Sequence, residues 1–360
     1  MAPIRPEEEG AAGFERGPKW LTVKKSASLL TLQVEKSATA TLQEHGTDKL
    51  SLAVIFGQAR TGKSFLTNKL MGKPGLFSVR GGHEPTTVGA DLSSFIPNTS
   101  AGAAAERKLG FVDVEGFGSE GDGYDVVLVA PLLLVSQVII FNWMGKAAKH
   151  EMLKHLVTLA QAASMVRLER SAKKDDRIFG HLHIVLRDQA SIEGVHKMLF
   201  EDEDATDSEA KDRNKTREII RRSFASYCVC GRPPPIQAYD RLVAGDFVEA
   251  DVMPVFDAKL TELKRIIMKQ LAMPLALCGR NLSAMDVAEL MPMLAAAVND
   301  GQKDFVPQSL FNQLDQRQAD AAAVAAIEAF STREKTIREE MAMAPADLSD
   351  AIKAARQEGV

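Results

Sequence analysis

Residues Gly57 to Ser64 read Gly-Gln-Ala-Arg-Thr-Gly-Lys-Ser, a complete Gly-x-x-x-x-Gly-Lys-Ser turn. What stands on each side of it constrains the fold. Leu50-Ser51-Leu52-Ala53-Val54-Ile55-Phe56 is apolar and β-branched, the pattern of a buried strand. Phe65 to Leu70 opens a helix. A strand, a tight glycine turn and a helix N-terminus together aim backbone N–H groups at an anion. Gly57 and Gly62 allow the turn and the close approach of phosphates. In such a loop the lysine, here Lys63, sits on the β- and γ-phosphates of a nucleotide, and the serine, Ser64, holds Mg2+ through its hydroxyl. The candidate nucleotide contacts here are Gly57, Gln58, Ala59, Arg60, Thr61, Gly62, Lys63, Ser64 and Phe65.

The rest of the chain alternates in the same way. Strands are predicted at Leu50–Phe56, Lys108–Val114, Val138–Phe141, His181–Leu186 and Ala225–Cys230, after two short ones at Trp20–Val23 and Leu29–Gln33. Helices are predicted at Val34–Glu44, Ser64–Leu70, Val126–Val135, Lys146–Arg170, Thr216–Phe224 and Phe256–Leu271. This is an α/β pattern: a mainly parallel sheet flanked by helices, with function at the carboxyl ends of the strands. Beyond Leu282 the chain is rich in Ala, Met and Leu at helical spacing, which predicts helices at Ser283–Val298, Gln308–Phe330 and Ala346–Arg356. The expected organisation is a disordered N-terminus over 1–19, a nucleotide-binding domain over 20–281 and a short α-helical C-terminal region over 282–360. The charged run Glu201–Lys215 reads as a solvated surface loop.

Composition narrows the class. The 360 residues carry a net charge of −4, which argues against a nucleic-acid binder held by phosphate contacts. The three cysteines, Cys228, Cys230 and Cys278, lack framework spacing and suggest a reducing compartment. No secretory core, myristoylation pattern or prenylation box is present, so the expected location is cytoplasmic. Val126–Trp143 approaches the length of a membrane span, but it reads as a buried helix running into the buried strand Val138–Phe141. Cys228-Val229-Cys230 alternates along a strand and reads as packing. His181 and His183, with no Cys or acid nearby in sequence, read as structural.

Three further segments bear on which nucleotide is bound. Asp113-Val114-Glu115-Gly116 closes a strand; Asp113 there can hold Mg2+ through water, and the Gly116 N–H can bond a γ-phosphate. The polar stretch from Phe77 to Gly89 contains Thr86 and Thr87, and Thr87 is the candidate magnesium ligand. Arg187-Asp188 ends the strand Ile184–Leu186. A carboxylate there can accept from both N1–H and N2–H2 of guanine, a pair that adenine does not offer. An exposed Arg-Asp at a strand end is equally compatible with that dipeptide alone.

In this order the segments resemble the guanylate-binding protein and atlastin branch of the dynamin-like large GTPases, over about residues 20–330. The Arg before Thr-Gly-Lys-Ser is similar to guanylate-binding proteins; Arg80-Gly81-Gly82 and Thr86-Thr87 are closer to atlastin. Asp113-Val114-Glu115-Gly116 resembles the family's second switch, and Leu186-Arg187-Asp188 its guanine motif. Phe141-Asn142 resembles the step after the next strand, and Cys228–Pro233 with the amphipathic helix after it the segment that caps the base. The resemblance implies Mg2+-dependent hydrolysis of GTP to GDP, with Arg60 as an internal arginine finger, Lys63, Thr86 and Thr87 in catalysis, Ser64, Thr87 and Asp113 at the metal, and Glu115, Gly116, Arg187 and Asp188 on the nucleotide. It also implies a nucleotide-dependent homodimer. A further cleavage to GMP is not carried over.

Two positions depart from expectation. Phe117 stands where small GTPases place the Gln that orients water. Pro85 occupies the place of a water-positioning Ser and has neither hydroxyl nor N–H. Phe117 calls for another device, which the resemblance implies in Arg60, while Pro85 leaves a second reading open, a GTP-regulated binding module with little hydrolysis. A P-loop ATPase is a third, in which Asp188 would read no base.

Overall fold

A computed structural model of the chain describes residues 17–26, 29–73, 76–77, 87–97, 107–117, 121–145, 149–165, 179–189, 191–205, 207–238, 241, 251–277, 280–300, 306–340 and 345–358. The elements run β1 (Lys19–Ser26), β2 (Leu29–Val34), α1 (Lys36–Glu44), β3 (Lys49–Gly57), α2 (Lys63–Met71), β4 (Ala90–Leu92), β5 (Ile96–Pro97) and β6 (Arg107–Val114). Then follow α3 (Asp122–Leu134), β7 (Val138–Met144), α4 (Lys149–Ser164), β8 (Phe179–Arg187), α5 (Val195–Phe200), α6 (Ser208–Ser223) and β9 (Phe224–Arg232). The last are α7 (Pro254–Leu271), the small hairpin β10 (Ala276–Leu277) and β11 (Arg280–Asn281), α8 (Ala284–Asn299), α9 (Pro307–Glu340) and α10 (Pro345–Glu358).

Among the described residues, β1 to β9 form a nine-stranded sheet in the order β2-β1-β4-β6-β3-β7-β8-β9, with β5 also on β6. The five strands from β6 to β9 in that order are mutually parallel, whereas β4, β1 and β2 make an antiparallel edge. β3 lies at the centre, and Leu50 to Gly57 are all buried. Its side chains alternate: Ala53 and Ile55 join Leu66 and Leu70 of α2 and Phe256, Leu263 and Ile267 of α7 in one core. Leu52, Val54 and Phe56, fully buried too, point to the other face. α3 contributes to covering the sheet, packing on β1, β2 and β8 and against α4. Val126–Trp143 is thus α3 running into β7, and among the described residues no helix is long and apolar enough to cross a membrane.

The helix expected at the head of the C-terminal region behaves as part of the sheet unit. α8 packs on β2, α1 and α3, and the compact unit extends to Pro307; residues 308–360 form a second. The side-chain amide of Asn299 substitutes for a strand partner, accepting from Leu32 N at 2.7 Å and donating to Leu32 O at 2.9 Å. Such a contact spans most of the chain, so local composition does not reveal it. The disorder expected over 1–19 lies, for 1–16, outside the described residues, and Lys19 already belongs to β1.

The charged run Glu201–Lys215 is not a loop throughout. Helix α6 starts at Ser208, capped by Asp207, whose side chain accepts from Ala210 N at 2.7 Å. Glu203 gathers Arg213, Lys149 and Arg217, which hold its carboxyl well below the usual range. Arg217 is buried there and also donates to Met198 O at 2.9 Å. Charge density hid a helix whose charges are mutually paired.

Candidate functional site

The parallel register brings the ends of five strands into one line. Ile55 pairs with Asp113, Gly57 with Asn142, Met144 with Arg187, and Arg187 with Arg232. Every residue so aligned sits at a carboxyl edge, the position where open α/β sheets bind ligands.

The Gly57–Ser64 turn fits against its neighbours with no room to spare. A Cβ on Gly57, at φ 137°, would lie 2.0 Å from the Asn142 carbonyl oxygen. A Cβ on Gly116 would lie 2.2 Å from Ala59 Cα. Glycine is thus required at both places for the loop to touch β7 and the segment after β6. The loop is braced at Thr61, whose carbonyl accepts from Asn142 Nδ2 at 2.7 Å and from Arg187 Nη1 at 3.0 Å. The Thr61 hydroxyl donates to Gln58 O at 3.0 Å, and the Gln58 amide nitrogen lies 3.1 Å from His155 Nε2 on α4. Gly62 caps α2, and the Phe65 ring points away into the core beside Phe256, leaving only its backbone near the turn.

Lys63 is buried and folds back to donate to Gly57 O at 3.3 Å and Gln58 O at 3.0 Å. Burial lowers its pKa to about 8; the attractions of Asp113, Glu115 and Asp125 act the other way. At the next strand, Ser64 Oγ and Thr87 Oγ1 both donate to the Oδ2 of Asp113, at 2.5 and 3.1 Å. Its Oδ1 is buried with no partner. Burial pushes the Asp113 carboxyl above its usual range, opposed first by the Ser64 hydrogen bond. Two hydroxyls and a carboxylate are hard oxygen donors, the set that suits a small divalent cation, and the orphaned oxygen is a further donor for one.

Glu115 does something else. Its Oε2 accepts from Gly89 N at 2.9 Å and from Tyr124 Oη at 2.7 Å, so its side chain ties the segment after Thr87 to α3. Phe117 is buried between Phe56 and Phe141, with ring centroids 5.8 and 6.1 Å away. Thr86 and Pro85 lie outside the described residues.

Backbone strain marks two further residues. Among the described residues, the non-glycines at positive φ are Arg60 at 63° and Asp188 at 61°. Left-handed backbone costs an ordinary side chain about 1–2 kcal/mol, and such strain collects at functional positions. Arg60 is exposed at the tip of the turn. Asp188 follows β8; its Oδ2 is 3.6 Å from Arg187 Nε, while its Oδ1 is buried and unpartnered. Next to it stands Arg232, at the end of β9, 2% exposed, with Nε and Nη1 unpartnered and the guanidinium 5.4 Å over the Phe256 ring. Burial, and then the nearby Arg187, lower the Arg232 pKa to about 10.

Sequence reasoning did not single out Arg232, His155 or Tyr124. Arg232 lies in the Cys228–Pro233 segment, and that placement is the one signal that could have found it. Nothing local marks the other two. His183 also needs correction: β8–β9 register sets it against Cys228, whose sulfur is 3.1 Å from its Nδ1.

A glycine-lysine-serine turn between a central parallel strand and its helix, with an acid at the next strand end, defines a P-loop nucleotide-binding domain. The family model for the guanylate-binding protein N-terminal domain matches residues 30–273. The chain therefore belongs to the guanylate-binding protein family, and its nucleotide-binding domain is of the GTP-binding kind. No curated protein sequence matches at a significant level. Among solved structures, a bacterial selenocysteine-specific elongation factor, EF-Sec, aligns at 14% identity and TM-score 0.31 over 62% of this chain. The chain covers 29% of that protein's length, and a likeness this distant bears on nothing that follows.

Proposed function

We propose that the protein is a Mg2+-dependent GTPase, hydrolysing GTP to GDP and pairing with a second copy when nucleotide is bound. The observation that carries this reading is the convergence of the Ser64 and Thr87 hydroxyls on one oxygen of Asp113 while the other stays orphaned. Thr87 reaches that point from outside the P-loop, so a switch segment and the loop share one carboxylate.

In this reading Ser64, Thr87 and Asp113 hold Mg2+, which when bound neutralises phosphate charge. Lys63 leaves the carbonyls of Gly57 and Gln58 for phosphate oxygens, and the turn's N–H groups supply the rest of the cradle. Gly116, whose missing side chain lets it approach Ala59, supplies its N–H to the end of the phosphate chain. Arg60 swings its guanidinium onto the phosphoryl group as charge develops there. Asp188 accepts from guanine N1–H and N2–H2, with Arg187 fixing the turn and Asp188 together. The strained backbone at Arg60 and Asp188 supports these two roles. The pair of free thiols fits a cytoplasmic setting. Head-to-head pairing rests on the family resemblance.

Phe117 favours a second reading. Its ring is locked in the core, so no side chain at that position can orient water. The protein would then bind GTP to regulate an interface and turn it over very little. Turnover of GTP and ATP with Mg2+, with products separated, across a protein dilution series decides between them. GTP-selective turnover that rises per molecule with concentration is the expected result. Tight GTP binding without turnover selects the switch module, and ATP turnover sinks both.

A further inference from the structure

We propose that His183, Cys228 and Cys230 form a binding site for a thiophilic divalent cation, with zinc(II) the ion it fits. The three donors are not residues of the phosphate turn, Cys230 lies two residues before Arg232 on β9, and the proposal does not depend on the GTPase reading. His183 and Cys228 are direct neighbours across the parallel β8–β9 pair, and Cys230, two residues on, returns to the same face. Their ligand atoms lie within 4.8 Å of one another.

The spacing is that of a coordination shell. With zinc–sulfur bonds of about 2.3 Å and zinc–nitrogen bonds of about 2.0 Å, a tetrahedral site places its two sulfurs about 3.8 Å apart and sulfur and nitrogen about 3.5 Å apart. Here Cys228 Sγ and Cys230 Sγ are 3.9 Å apart, and Cys228 Sγ is 3.1 Å from His183 Nδ1. All three donor pairs fall within 4.8 Å, the range that one ion can draw together.

The imidazole is already oriented. His183 Nε2 lies 2.6 Å from the side-chain oxygen of Gln270 on α7. That oxygen can only accept, so Nε2 carries a proton, and in the neutral ring the Nδ1 lone pair lies on the side of the sulfurs. A ligating histidine commonly donates its second ring N–H in this way. His183 is 1% exposed, whereas both cysteines are half-buried. The ion can therefore enter from the cysteine side, and solvent completes the fourth position. Two thiolates with one imidazole select a borderline-soft ion over Mg2+. On binding, two thiol protons leave to solvent, one divalent cation takes their place, and no oxidation state changes.

The test uses the reduced full-length chain, stripped with chelator and then held in excess Mg2+ and GDP so that the P-loop is filled. Cobalt(II) is titrated in. One equivalent should produce intense thiolate charge-transfer absorption with tetrahedral d–d bands, and one equivalent of zinc(II) should erase them. Cys228→Ser and Cys230→Ser should each abolish the charge-transfer signal while thermal unfolding followed by circular dichroism stays cooperative. Cys278→Ser should leave it unchanged. Gln270→Ala, which removes only a positioning residue, should keep the spectrum but weaken affinity by about 10–100-fold. The proposal fails if the reduced wild type, with its thiols still reactive, gives no charge-transfer band. It also fails if the band survives in Cys228→Ser/Cys230→Ser, or if the two thiols form a disulfide instead of taking up metal.

Discussion

The phosphate end and the base end of the site lie on the same sheet edge but solve opposite problems. At the phosphate end most polar groups already have protein partners: Lys63 on loop carbonyls, Ser64 and Thr87 on Asp113, Thr61 under Asn142 and Arg187. At the base end, Asp188 Oδ1 and two nitrogens of Arg232 are buried with none. A mostly satisfied network, with Asp113 Oδ1 and Asn142 Oδ1 as its buried exceptions, holds its shape without ligand and must exchange partners to bind. An orphaned pair costs stability until something hydrogen-bonds to it. The first arrangement suits any nucleoside triphosphate; the second suits one base.

The largest expected effect tests the exposed member of the phosphate end. Arg60→Ala should slow GTP turnover by about 10³–10⁵-fold, the range of an arginine finger, while GTP binding stays within a few-fold. Alanine, lysine and the native arginine all carry a Cβ at φ 63°, so strain does not separate them, and Arg60→Lys is the companion variant. It keeps the charge but not the planar fork, and it should remain slow in single-turnover measurements. Wild-type rates in Arg60→Ala would mean that the satisfied network is the whole catalytic apparatus at this end.

Next comes Asp188→Asn. Asparagine tolerates left-handed backbone, so the fold should persist. Losing two charge-assisted hydrogen bonds of about 1.5–3 kcal/mol each should weaken GTP by at least about 10²-fold and leave weak ATP binding unchanged. Xanthosine triphosphate, which carries a carbonyl where guanine carries its N2 amine, should gain. Equal losses for GTP and ATP would erase the distinction between the two ends.

The two ends also differ in how plainly the sequence shows them. The phosphate turn is contiguous, so Gly57 to Ser64 declare their geometry in one stretch. Asp113 needed only the inference that strand ends converge, and Thr87 was read from the polar stretch before β4. Asp188 was visible as a carboxylate at a strand end, but its neighbour Arg232 arrives through the β8–β9 pairing, and its burial under Phe256 depends on α7. The same non-local register hid the contact of His183 with Cys228. Similarly, the side chain of Glu115 serves as a strut to Gly89 and Tyr124, a role set by tertiary packing. Most strands and helices followed local pattern, although the first half of α6 and the short β4, β5 and α5 did not. Roles that depend on which strands lie side by side did not.

A smaller effect separates the ends by pH. With Lys63 at about 8 in the free protein, the ammonium that phosphate requires is lost as pH rises through that value. GTP affinity should be flat below pH 8 and fall by up to about tenfold per pH unit above it. Calorimetry in buffers of different ionisation enthalpy should show proton uptake on binding near pH 9. Without nucleotide the sign reverses. Between about 8 and the ordinary lysine value of 10.5, the unfolded chain binds the proton that the folded chain gives up, so stability rises with pH. Proton release on binding would contradict the movement of Lys63 onto phosphate.

The smallest expected effect probes whether the base end is built for ligand or for the fold. Arg232→Met removes a buried cation of similar length that still rests on Phe256. Two consequences for the free protein oppose each other: the desolvation penalty of the guanidinium disappears, and Asp188 loses a nearby positive charge. Stability without nucleotide should therefore change by only about 1 kcal/mol. Guanine nucleotide binding has no such compensation if the orphaned Nε and Nη1 donate to the base. GTP affinity should drop about tenfold, the value of one hydrogen bond to a charged group. The ratio of the two changes is what matters. A large loss of stability with unchanged affinity would make Arg232 a structural partner of Asp188, and the base end would then be satisfied from within, like the phosphate end.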